Sequence, residues 1–330
     1  MKPAKNIVSS QLVSILSSTS AFRAAVSRSH LILKAFSTLC NPVSILTGLF
    51  LLLSACSIST AQLSQRIPKE TRSILSLSLD FTPIKAAYSN IDNSLYVMGS
   101  ETNLIQLYKG NNQVNTIGGL GFGESNFNRL TDITVSPHGR LLALDSFQKT
   151  IKKFDSDGMW LENYPLRSLN EPLLFDVSHD GMVFIYDRTS NEIVIYDEKL
   201  EYIEYRFGKF LLRDPIQLNC TFQHLSVYDK SSDKTYIFDL LGDLQETLNG
   251  FWQIDRYTNR YRLTGNMITV FTKDHWEKSK QQLRDKTDLQ PDSIILLSAK
   301  PWNSFSVSRG VIKAIADREL LISEIVYERF

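Results

Sequence analysis

No carboxylate occurs in this chain before Glu70, although its 330 residues include 35 Asp and Glu against 36 Lys and Arg. The first 55 residues hold five bases, Lys2, Lys5, Arg23, Arg28 and Lys34, and no acid. Cysteine is scarce, with only Cys40, Cys56 and Cys220. With Cys40 in the acid-free leader and Cys56 committed elsewhere, Cys220 has no partner for an intramolecular disulfide and reads as a small buried hydrophobe. No apolar run reaches the roughly 20 residues that a helical membrane span needs. Also missing are a Gly-x-Ser-x-Gly elbow, a P-loop and a dinucleotide fingerprint. The glycines of GGLGFG (118–123) precede a strand instead of opening a helix, which argues against a phosphate cradle. Beyond residue 55, 31 Lys and Arg face 35 Asp and Glu. That balance lacks the basic footprint on which nucleic-acid binding rests, so no nucleic-acid partner is expected.

What the leader does have is order. After its last base comes the apolar stretch Val43–Leu53, which ends in Leu53-Ser54-Ala55-Cys56. A positive segment, a short apolar segment and small residues at its end are the marks of an export signal. Leu53, Ser54, Ala55 and Cys56 together resemble the lipobox of bacterial lipoproteins. The resemblance implies acylation of the Cys56 thiol and cleavage before it, and each buried CH₂ of an acyl chain adds about 0.8 kcal/mol to membrane anchoring. Ser57, where inner-membrane lipoproteins often carry Asp, leans the expectation towards the outer membrane of a bacterial envelope. At 55 residues the leader exceeds the usual length of about 15–30. A non-Met start near Val26 would give an ordinary one. The alternative is an organellar transit peptide, since residues 1–40 are Ser-rich and acid-free. The division that follows is 1–55 leader, 56–72 lipidated N-terminus and tether, and 73–330 folded domain.

The folded part repeats. VSPHGRLLALDSFQKTIKKFD (135–155) and VSHDGMVFIYDRTSNEIVIYD (177–197) align without a gap, at a period of 42 residues. Asp145, Asp187 and Asp229 fall on one repeat position, and Asp155, Asp197 and Asp239 on another. NSLYVMGSETNLIQLYKG (93–110) adds an earlier copy at a shift of about 46, with the extra length in the loop around Gly118–Gly123. RLTGNMITVF contains Gly265, 84 residues beyond Gly181, and makes a fifth. Short β-type runs separated by HG, DG and polar turns give four strands per period, the size of a propeller blade. A lone blade cannot bury both its faces, so blades stack around an axis. The run TIKKFD, EIVIYD, TYIFD alternates, which predicts a half-exposed strand.

The second copy carries a family likeness. Ile117-Gly118-Gly119-Leu120-Gly121-Phe122-Gly123, Phe127 and LTDITVSPHGRLLALDSFQKTIKKFDSDG resemble an NHL repeat. The resemblance implies an all-β propeller, most often of six four-stranded blades, and the length also divides into about six. The sixth blade is expected in 291–330, with SILSLSLDF (73–81) closing the ring by pairing with it and protecting the sheet edges.

Chemistry is sparse. The recurrent aspartates read as turn caps, since Asp at a strand end bonds nearby amides. His138 and His179 fall in turns of adjacent copies, His224 in a strand and His275 in a charged loop. These are unrelated repeat positions, so no shared metal is suggested. No metal or cofactor is therefore expected. Some propellers of similar repeat are zinc lyases or calcium-dependent lactonases, the latter using acidic and Asn side chains in the central channel; that metal-dependent enzyme is the alternative function. Two stretches break the repeat. FWQIDRYTNRYRLTG (251–265) interleaves Trp252, Tyr257 and Tyr261 with Arg256, Arg260 and Arg262, a pattern suited to peptides, glycans or anionic polymers. Its plainer reading is an outer strand with one basic face. TKDHWEKSKQQLRDKTDLQ (272–290) reads as a loop or short helix in which Trp276 either touches a partner or pins the insert. The expected function is thus a lipid-anchored module that binds a protein, peptide or glycan through Trp252, Arg256, Tyr257, Arg260, Tyr261 and Trp276, or else a structural subunit of an envelope complex.

Overall fold

The computed structural model describes residues 66–328 except 101, 198, 283–289 and 298–300. The leader, Cys56 and the lipobox lie outside the described residues. What is described is a six-bladed β-propeller, each blade an antiparallel sheet of four strands. Blade 1 comprises β2 (Pro83–Tyr88), β3 (Ser94–Gly99), β4 (Leu104–Lys109) and β5 (Asn112–Gly118). Blade 2 holds β6 (Leu130–Val135), β7 (Leu141–Asp145), β8 (Thr150–Phe154) and β9 (Trp160–Pro165). Blade 3 holds β10 (Pro172–Val177), β11 (Val183–Asp187), β12 (Glu192–Tyr196) and β13 (Tyr202–Phe207). Blade 4 follows with β14 (Pro215–Cys220), β15 (His224–Asp229), β16 (Lys234–Asp239) and β17 (Leu244–Asn249). Blade 5 is β18 (Gln253–Ile254), β19 (Arg260–Thr264), β20 (Met267–Phe271) and β21 (Ser293–Leu296), with helix α1 (Lys273–Gln282) between its last two strands. Blade 6 is β22 (Ser304–Ser308), β23 (Val311–Ala316) and β24 (Glu319–Tyr327), completed by β1 (Pro68–Ser78) from the start of the domain.

The ring therefore closes as the sequence suggests, by β1 pairing antiparallel with β24 from Pro68↔Tyr327 to Ser78↔Glu319. The closing strand is longer than SILSLSLDF and takes in residues from Pro68 onwards. Blade 6 is shorter than 291–330, because Ser293–Leu296 is still the outer strand of blade 5. Every strand of the six sheets lies between Pro68 and Tyr327, so this part of the chain is a fold complete in itself. No helix among the described residues is long and apolar enough to cross a membrane.

The repeat holds at atomic detail. Asp145 accepts the amides of Asn128 at 2.7 Å and of Phe147 and Gln148 at 3.0 Å, tying the turn after β7 to the loop that enters the blade. Asp187 does the same for Glu171 and Thr189, and Asp229 for Arg213, Asp214 and Ser232. One period position on, Asp155, Asp197 and Asp239 cap the turn after the third strand. All six are turn caps, which spares the amides of tight turns from going unpaired. Gly118, at φ +95°, lies so close to the fully buried Phe127 ring that a Cβ would meet it at 2.5 Å, so the glycine-rich loop exists to let this ring in.

One expectation is corrected. The strand TIKKFD and its copies are almost wholly buried, not half exposed. A weaker fourth strand, such as β9 with its exposed WLENYP, covers each of them.

Candidate functional site: the central channel

In each blade the strands alternate in direction, so the turns fall on two faces. The first-to-second and third-to-fourth strand turns share one face, here the tether face, because Pro68 and Tyr327 meet there. The blade-to-blade loops and second-to-third strand turns share the other, the loop face. A channel of about 310 Å³ runs along the axis between them. It is lined by the first strands of blades 1, 2, 3, 4 and 6 together with part of β23. Blade 5 contributes nothing to the lining; its first strand is only two residues long, and β14 and β22 come into contact across the gap.

The first strand of every blade is a sheet edge, whose backbone groups need partners. Polar channel side chains supply them from blade to blade. Lys85 Nζ of blade 1 lies 2.6 Å from Asp132 Oδ1 of blade 2. Asp132 Oδ2 accepts the Phe175 amide of blade 3 at 2.9 Å. Asp176 accepts the Thr134 hydroxyl and the Cys220 amide of blade 4, both at 2.7 Å. Asn219 donates to the Ile254 carbonyl of blade 5 at 3.3 Å, and Gln253 accepts the Val307 amide of blade 6 at 3.4 Å. Five of the six blade junctions are joined in this way. Burial pushes the Asp132 carboxyl above the usual range, and the Lys85 ammonium opposes that shift.

At the tether face the channel is barred. Arg309, in the turn between β22 and β23, reaches past blade 1 and donates to the Val135 and Ser136 carbonyls of blade 2, both at 2.9 Å. At the loop face it is open between Ile84 and Ile216, each 50% exposed. Between mouth and bar sits Lys313 of β23. Its amine makes no hydrogen bond or ion pair among the described residues. Burial, with Lys85 and Arg309 nearby, lowers its pKa to about 8 in spite of Asp176 and Asp132. The lining thus holds three cations, Lys85, Lys313 and Arg309, against two carboxylates, Asp132 and Asp176.

This donor set does not fit a calcium or zinc ion. One carboxylate is already neutralised by an ammonium, the other accepts two protein donors, and no group of three or more His, Cys, Asp or Glu among the described residues could hold a metal. Cys220 is free and buried, and burial raises its thiol pKa well above the ordinary value. His138 and His179 are exposed on turns of the tether face. His224 is in β15, and His275 lies in α1, not in a loop, with Nδ1 2.8 Å from Asp292.

The six residues proposed from sequence as a binding surface lie away from the channel lining, and five of them are buried. Trp252 and Trp276 stack edge-on with Phe271. Trp276 also donates to Glu246 at 2.8 Å, and the same carboxylate pairs with Arg260 at 2.6 Å, both side chains only 8% exposed. Trp276 therefore pins the helical insert to blades 4 and 5. The Tyr257 amide and the Tyr261 hydroxyl both donate to Asp255. Only Arg256 is exposed. The sequence missed Lys85, Asp132, Asp176 and Lys313, because a single polar residue in a strand looks the same whether it faces the axis or the solvent.

No family model and no curated protein matches the sequence. Among solved structures, a gluconolactonase from Xanthomonas campestris superposes with a TM-score of 0.52 at 12% identity, over 79% of this chain and 97% of that one. A structural-genomics target described as a candidate gluconolactonase gives 0.53 at 13%, over 82% and 97%. A virginiamycin B lyase from Staphylococcus aureus gives 0.47 at 11%, over 76% and 98%, too low to carry an argument. At these identities the likeness is one of fold alone, that of a six-bladed propeller.

Proposed function

We propose that the protein is a lipid-anchored β-propeller of the bacterial cell envelope, more at home on the outer than the inner membrane, that binds its ligand without transforming it. The anchor is acylated Cys56, delivered by the export signal that ends at Leu53-Ser54-Ala55. The ligand is an acidic chain end of a protein, peptide or glycan, received by the channel from the loop face. The observation that carries this reading is Lys313: the channel's carboxylates are engaged with neighbouring blades, and one ammonium is left without a partner. Asp176 and Asp132 act on it but are engaged with other blades, so a half-buried ammonium that burial disfavours still gains when something anionic joins it.

The test is calorimetric titration with short peptides carrying a free or an amidated C-terminus and with oligosaccharides ending in a uronic acid or a neutral sugar. Free-acid probes are expected to bind at least about tenfold more tightly, equivalent to roughly 1.4 kcal/mol, and to lose that preference in Lys313→Met. The alternative is a metal-dependent lactonase-like or lyase-like enzyme, which would have to use the same channel with Asp132 and Asp176 engaged as they are. Stoichiometric calcium or zinc in protein purified from its membrane, with no preference for acids, would replace the binding reading by that one. The anchor is tested separately, by the intact mass of the same sample: residues 56–330 plus acyl chains.

A further inference from the structure

A second cleft, of about 660 Å³, opens on the tether face between blades 5, 6 and 1. Four arginines line it, Arg66, Arg72, Arg256 and Arg309, and Glu324 is the single carboxylate among its lining residues. Two of the arginines are engaged: Arg72 with Glu324, and Arg309 with the carbonyls of Val135 and Ser136. Arg66 and Arg256 both lie over the ring of Tyr257, at 5.7 and 4.8 Å from its centroid, and Arg256 also donates to the Tyr257 hydroxyl at 2.6 Å. Both guanidinium groups thus lie on one aromatic ring of the cleft, whose one lining carboxylate, Glu324, is already paired with Arg72. Planar guanidinium groups presented together suit the oxygens of a phosphate.

Position says which phosphate. Arg66 is the residue at which the described chain begins, and nine residues lie between it and Cys56. At most about 3.3–3.6 Å per residue, such a tether spans on the order of 35 Å. Acylated at Cys56, the chain would keep the cleft within that distance of the bilayer, on the face from which the tether leaves. We propose that this cleft is a binding site for the phosphate of an anionic lipid head group, so that the propeller docks its tether face on the membrane that anchors it. The inference rests on the anchor reading for its geometry, but its test does not.

Residues 57–330, which lack both the basic leader and Cys56 and contain every strand of the ring, are mixed with vesicles of phosphatidylcholine alone or with about a third phosphatidylglycerol, and bound protein is measured by flotation. Binding to the anionic vesicles only is expected. It should weaken about tenfold or more in Arg66→Gln/Arg256→Gln, since each base near an anionic surface contributes about 1 kcal/mol. Glu324→Gln, which frees Arg72, should strengthen it several-fold, a gain that misfolding cannot produce. Equal binding to both vesicles, or an unchanged double variant, overturns the proposal. So does displacement by soluble glycerophosphate at the same phosphate concentration, which would make the cleft a site for free phosphate esters. If the native protein proves unacylated while the fragment still prefers anionic vesicles, the anchor reading falls and the cleft stands.

Discussion

Blades 2 and 5 solve the same problem with different means. In blade 2 each turn is closed by a side chain of its own: Ser136 accepts the Arg140 amide, Asp145 gathers amides from two adjoining loops, and Asp155 those of Asp157 and Met159. The sheet then packs by its apolar faces, aliphatic side chains with Phe127, Phe154 and Phe175 among them, and the pattern repeats 42 residues later. Blade 5 has a first strand of two residues, a helix inserted before its last, and one aspartate that serves as a hub. Asp255 accepts the amides of Tyr257 and Asn259, the Asn259 side chain, and the hydroxyls of Tyr261 and Tyr327, at 2.7–3.0 Å. Asn259 in turn donates to the Arg66 carbonyl, and Tyr257 packs edge-on against Tyr327. Blade 5 keeps the local cap, on the Tyr257 and Asn259 amides, and adds to it a clamp on the two ends of the ring. A regular blade is held by its own turns; the irregular one holds the others together.

The comparison can be broken most sharply at its two aspartates. Asp255→Ala leaves two buried tyrosine hydroxyls and an asparagine without their acceptor where the ring closes, and should cost about 3–5 kcal/mol in urea unfolding. Asp145→Ala, at a site just as buried, removes bonds to backbone amides of a turn and a loop but leaves no tyrosine hydroxyl unpaired, and should cost about 2 kcal/mol. Equal losses would mean that blade 5 is not the clamp.

Next in size, and opposite in sign, is Lys313→Met. Below about pH 8 the folded protein carries an ammonium that burial disfavours, whereas the unfolded chain holds this proton up to about 10.5. Between these values the unfolded state binds more protons, so stability rises with pH. Discounted for the residue's partial exposure, the substitution should stabilise by about 1–2 kcal/mol at pH 7, with the gain gone by about pH 11. Denaturant midpoints at both pH values would show it. No gain at pH 7 would mean that the amine is solvated or already paired.

The smallest effect is expected at Arg262, exposed on blade 5 with its guanidinium 5.6 Å from the Trp252 ring centroid. Arg262→Ala should change stability by about 0.5 kcal/mol. A larger loss would show that the basic stripe of this blade contributes more than packing suggests.

Much of this was legible because a repeat states its own answer several times. The strand pattern, the DG and HG turns and the recurrent aspartates each follow from a local need to pair the amides of a tight turn, so neighbouring residues are enough to reveal them. The Trp, Tyr and Arg of 251–265 were harder to read, for the converse reason. Interleaved aromatics and arginines mark a binding face when exposed and a buried hub when Asp255 and Glu246 stand among them, and only the ring brings Glu246 and Tyr327 there. The channel was hidden altogether: Lys85, Asp132, Asp176 and Lys313 lie 228 residues apart from first to last and share no motif.

By itself, then, the sequence determined the blade, its period, the caps of its turns and the closing role of the first strand, all set by backbone pairing and apolar alternation over short stretches. The tertiary structure decided which polar side chains face the axis, which carboxylates are spent on neighbouring blades, and that Lys313 is left over. Those are properties of a ring closed through residues from both ends of the domain, and no short stretch of chain contains them.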